Sequence, residues 1–134
     1  MTDAHTMLHP RGWKEAKGFA NGVVAEGRVV FLAGQIGWNA QQKFESGDFI
    51  VQARQALANI VTLVEEAGGT AEHITRLTWF VTDKKEYLSR LRELGEAYRA
   101  VMGKHFPAMT LVQVAALVED EAKVEIEATA VLPA

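Results

Sequence analysis

The sequence predicts an α+β fold in which a mixed β-sheet carries two helices on one face. Three observations lead there. The chain has 134 residues, enough for one domain with a substantial core. Strand-like and helix-like stretches run in the order strand, strand, helix, strand, helix, strand, strand, so each helix links two strands that can lie parallel. Several of these strands are apolar on both sides, more surface than two helices can cover.

Taken in order, residues 1–17 form a short, poorly patterned arm, punctuated by Asp3, His5, His9, Pro10 and Gly12, with Leu8 and Trp13 available as tethers. Residues 18–25 begin a strand, Glu26-Gly27 is a turn signal, and residues 28–33 form a second strand, so a hairpin is expected. Val29, Phe31 and Ala33 fall on one side of that second strand, Val30 and Leu32 on the other. Gly34 and Gly37 then allow a sharp turn or a close backbone approach. Asp48 is a good N-cap, with Ser46 as its competitor. The helix that follows carries Phe49, Ala53, Ala56, Leu57, Ile60, Leu63, Val64 and Ala67 at helical spacing and ends at Gly68-Gly69.

Residues 74–81, rich in β-branched and aromatic types, read as a strand. Asp83, with Glu86 three residues later, opens a second helix bearing Tyr87, Leu88, Leu91, Leu94, Tyr98, Val101 and Met102; Gly103 closes it and Pro107 prevents its continuation. Residues 106–117 and 123–131 read as two long strands joined by a polar turn over residues 118–122. The first is apolar almost throughout and calls for cover on both faces. The second alternates, with Val124, Ile126, Ala128 and Ala130 on one side and Glu125, Glu127, Thr129 and Val131 on the other. Two carboxylates therefore share a strand face, which is either solvated or the floor of a site.

Composition narrows the function classes. A formal net charge of -3 gives no electrostatic basis for holding nucleic acid or an anionic membrane. There is no cysteine, hence no thiol nucleophile and no thiolate metal site. His5, His9, His73 and His105 show no metal-ligand spacing, so no metal is expected. No stretch resembles a signal peptide or a bilayer span, and a cytoplasmic protein is the default expectation. An uncovered apolar sheet face is costly, since burying one Val, Leu or Phe contributes about 1.5–3 kcal/mol. Sheet faces meeting in a homo-oligomer, with small molecules bound at the seam, answer that cost.

The order of elements, residues 29–36 (Val-Val-Phe-Leu-Ala-Gly-Gln-Ile), the helix at residues 52–60, Phe106-Pro107-Ala108 and Val124-Glu125-Ile126-Glu127-Ala128 resemble the YjgF/RidA (reactive intermediate deaminase) family. The resemblance spans residues 18–131. It implies a chorismate-mutase-like fold and a homotrimer with a barrel-like core and clefts between subunits. It also implies hydrolysis of 2-imino or 2-enamino acids to 2-oxo acids and ammonia, with neither metal nor organic cofactor. Other members serve in catabolic pathways or have been described as translation inhibitors or ribonucleases.

Residue by residue, the resemblance assigns the water-positioning glutamate to Glu125. It places Met109 where deaminating members carry an arginine that grips the substrate carboxylate, a geometry hard to replace. Phe19 stands for a tyrosine and Ala33 for a serine or threonine. Gly34, Leu111 and Trp38 complete the expected ligand-binding set, with Phe19 and Trp38 as aromatic walls. Met109 has two readings: a cleft retuned for a neutral, apolar or aromatic ligand, or a residue that fills space. Arg28 and Arg76 are the alternative sources of a cation.

The expectation is a deaminase of an imine or enamine other than a simple 2-imino acid. Its rival is a non-catalytic trimer that binds a small metabolite. A ribonuclease or translation inhibitor is disfavoured by charge and by the lack of a basic aromatic face.

Overall fold

The computed structural model describes residues 5–134. A four-stranded sheet is built from β3 (Arg28–Ile36), β4 (Ile74–Val81), β5 (Ala108–Gln113) and β6 (Val124–Leu132), in the spatial order β3-β6-β4-β5. β6 runs antiparallel to both its neighbours, and β4 and β5 are parallel. Helices α1 (Phe49–Glu66), α2 (Lys84–Ser89) and α3 (Leu91–Met102) complete the main layer. The α+β expectation holds.

The core lies between the helices and one face of the sheet. Ala53, Leu57, Ile60 and Val64 of α1 and Leu94, Tyr98 and Met102 of α3 pack on Leu77, Trp79, Val124, Ile126, Ala128 and Ala130. This is the apolar stripe of each helix meeting the period-2 face of each strand. The opposite sheet face is uncovered in the single chain: Val29 is 50% exposed and Phe31 81%.

Caps hold as the residue types require. The Asp48 carboxylate accepts from the Val51 N–H and starts α1; Gly68, at φ +95°, follows its end. Asp83 accepts from the N–H groups of Lys85 and Glu86. Arg90 donates to Asp48 at 2.6 Å and to Glu93 at 2.7 Å, so it ties the start of α3 to the start of α1. The Arg90 hydrogen bond holds the Asp48 carboxyl below its ordinary value. A carboxyl depressed in the folded state stabilises above its unfolded pKa, about 3.9. That contribution is lost as pH falls through the lowered folded value. Arg90→Ala should therefore lower the melting temperature by a constant amount above about pH 5, and the gap to wild type should narrow in acid below about pH 4. A gap that stays constant down to pH 2 would show that Asp48 takes no such support from Arg90.

Five expectations need correction. The arm is patterned: β1 (Thr6–Leu8) pairs antiparallel with β2 (Gly22–Val24), with Met7 opposite Val23; residues 1–4 lie outside the described residues. That pairing replaces the expected hairpin, because β2 joins β1 and not β3. The second helix breaks at Arg90, whose φ of -129° is not helical, and becomes α2 and α3. The two C-terminal strands are not neighbours. β6 sits between β3 and β4 while β5 takes the edge, so residues 114–123 cross the end of β4 instead of turning a hairpin. β5 is also shorter than its apolar run, and no residue in it is fully buried.

Candidate functional site

A cleft of about 460 Å³ opens at the β5 edge. Its walls follow from local pairing. The Ala20 N–H donates to Pro107 O at 3.0 Å, and Ala20 bridges Ala108, which brings Phe19 to the sheet edge. Met109 and Leu111 lie in register with Leu77 and Trp79 of the parallel strand, so they share its helix-facing side. Tyr87 of α2 and Leu94, Gly95, Tyr98 and Arg99 of α3 close the cleft from above. The Tyr98 hydroxyl donates to His105 O at 2.6 Å and its ring stacks on Phe106, with centroids 5.2 Å apart. Burial pushes that phenol above its ordinary value, so it remains a neutral, structural donor. The charged side chains of the lining are both cationic, Lys17 and Arg99.

A second cluster lies on the uncovered face. Glu125 sits between Ile36 and Phe80 in the strand register, and Glu127 is opposite Thr78. A Cβ on Gly34 would land on the Glu125 carboxylate, so the carboxylate rests directly over the Gly34 backbone. Among the described residues Glu125 takes part in none of the ion pairs. Ala33, beside it in sequence, is exposed, and its carbonyl accepts from Gln35 Nε2 at 3.1 Å.

The expected site residues thus fall into two groups. Phe19, Met109 and Leu111 meet in the edge cleft; Gly34 and Glu125 meet on the open face. The sheet carries Met109 and Glu125 on alternate sides, Met109 beside Leu77 and Glu125 beside Phe80. Trp38 joins neither group. Its ring packs on Phe44, with centroids 5.9 Å apart, and its carbonyl accepts from Asn59 Nδ2 at 2.9 Å. Arg28 and Arg76 are exposed and line no part of the cleft. The cations that do line it, Arg99 and Lys17, escaped the sequence reading. The available signal was Gly95, a poor helix former in the middle of a good helix.

A family model described as Endoribonuclease L-PSP matches residues 13–132. The chain is 36% identical over 105 residues to a RutC family protein of Haemophilus influenzae, covering 78% of this chain and 80% of the relative. The chain belongs to the YjgF/RidA family. Another YjgF/RidA relative, a 2-iminobutanoate/2-iminopropanoate deaminase of Escherichia coli, is 36% identical over 108 residues, covering 78% of this chain and 80% of the relative. The YjgF/RidA fold is equally plain in three dimensions. A Rid-family protein of unknown function from Yersinia pestis, YyfB, superposes with a TM-score of 0.86 at 28% identity, over 96% of this chain and 99% of that one. Escherichia coli TdcF with bound serine superposes with a TM-score of 0.67 at 32% identity, over 95% and 98%. No helix of the described residues is long and apolar enough to cross a membrane.

Proposed function

We propose that this chain is a cofactor-free hydrolytic deaminase of an imine or enamine, acting in clefts completed between the copies of a homotrimer. The observation that carries the reading is the Glu125 carboxylate, held over Gly34 on the uncovered sheet face and, among the described residues, in no ion pair. A carboxylate left unspent in such a place is suited to hold and deprotonate a water. The family's named deaminase supports the same chemistry. Water adds to the imine carbon as Glu125 takes its proton. That proton passes to nitrogen to give the carbinolamine; Glu125 then takes the hydroxyl proton and relays it to the amine as the C–N bond breaks, and ammonia and a carbonyl product leave.

Assembly supplies what one chain lacks. Because Met109 and Glu125 occupy opposite faces, a ligand touching both must sit between two copies, one presenting its edge cleft and the other its open face. Exposed Val29 and Phe31 give that open face a reason to be covered. Sedimentation should give a trimer, and imine generated in place by an amino-acid oxidase should decay faster with the protein than in buffer. A stable monomer at micromolar concentration would remove the shared site. A trimer with no acceleration across several imines would leave a metabolite-binding assembly instead.

A further inference from the structure

We propose that Arg99 and Lys17 are the anion-binding pair of the edge cleft, and that its ligand is a carboxylate carrying an aromatic or branched apolar body. This deepens the proposed function by naming what the Met109 cleft holds, and it rests on that reading only for the identity of the cleft. The resemblance leaves the cleft without its arginine at Met109, which argues against a carboxylate ligand. The side chains around the cleft argue the reverse.

Arg99 is free to serve. Arg90 is engaged with Asp48 and Glu93, Arg92 with Glu96, and Lys123 with Glu86. Arg99 appears in no ion pair of the described residues, although it lies on the same helix as Arg92. Its guanidinium folds back over Gly95, where an added Cβ would stand 3.2 Å from one terminal nitrogen. A glycine inside a helix weakens it relative to alanine. Here the missing side chain leaves the space in which the guanidinium enters the cleft wall.

The lining supports one class of ligand. Among the described residues it contains no aspartate or glutamate to compete for the guanidinium or the Lys17 ammonium. Against these donors stand Phe19, Leu91, Leu94, Phe106, Met109 and Leu111, a surface for an apolar body. A cleft of about 460 Å³ is the size of a small-ligand site. Lys17 comes from the arm and Arg99 from α3, so two different elements each bring a cation to the wall of one cleft. In this arrangement Met109 makes room for the body, and the charge is held by residues that precede it in the chain.

Calorimetric titration of the full chain with phenylpyruvate, a stable oxo acid, tests this without turnover. Saturable binding is expected, at least about tenfold weaker in Arg99→Ala, as loss of a charge-assisted contact requires. Lys17→Ala should weaken it less, and Arg99→Lys should restore part of the loss. Arg92→Ala, on the same helix but outside the cleft, should bind as wild type does. The methyl ester of phenylpyruvate should bind more weakly than the acid and should not distinguish Arg99→Ala from wild type. Absence of saturable binding, unchanged affinity in Arg99→Ala, or an ester that binds as tightly as the acid would each overturn the proposal. Failure of hydrolysis with Arg99-dependent binding intact would sink the deaminase reading alone.

Discussion

Gln52→Leu is expected to destabilise the chain by about 2–4 kcal/mol, because it strands several backbone groups at once. Among the described residues Gln52 is the one buried polar side chain outside the hydrophobic set, 1% exposed. Its Nε2 donates to Ser46 O at 3.2 Å and Glu121 O at 2.9 Å, and its Oε1 accepts from Lys123 N at 2.8 Å. One amide therefore pins both the loop before α1 and the crossing that delivers β6 to the centre of the sheet. Leucine fills similar volume, so packing is kept and the lost hydrogen bonds dominate. Gly37 makes the fit tighter still, since a Cβ there would stand 2.5 Å from Gln52 Cα. Chemical denaturation should show a lowered midpoint with little change in slope. A loss under about 1 kcal/mol would mean that water replaces the amide cheaply.

The second large effect concerns activity. Glu125→Gln should lower turnover by about a hundredfold or more, the usual scale for a lost general base, with the melting temperature little changed. Gly34→Ala offers an independent route to the same end. The added methyl would take the place of the Glu125 carboxylate, and that carboxylate is the far end of a flexible side chain. It should swing aside at small cost in stability while turnover falls with it. If Gly34→Ala keeps full turnover and Glu125→Gln does not, the carboxylate acts from a position other than the one over Gly34. If both variants keep it, Glu125 has no part in the reaction.

The two residues at the centre of these predictions were legible in the sequence to different degrees. Period-2 alternation in residues 124–131 set Glu125 and Glu127 apart from the core residues without any tertiary information, and the family resemblance singled out Glu125. Gln52 passed unnoticed as a structural residue, although it stands three residues after Phe49 and four before Ala56 on the apolar stripe of α1. Helical periodicity placed it inward, and polarity alone suggested otherwise. The same local signals gave the Asp48 and Asp83 caps and the glycine ends of α1 and α3, since caps depend on a few adjacent residues.

What the sequence determined by itself was the location of the four main-sheet strands, α1 and the helical stretch that divides into α2 and α3, the α+β class and the family, because each rests on local period, local capping chemistry or residue identity. Strand order was decided only in three dimensions. An apolar run such as residues 106–117 fits an edge or a centre equally well in one dimension, and the amide of Gln52 helps route the chain across β4. That order placed Met109 and Glu125 on opposite faces of the sheet. It also brought Arg99 and Met109 to the wall of one cleft, a nearness that no spacing in the chain encodes.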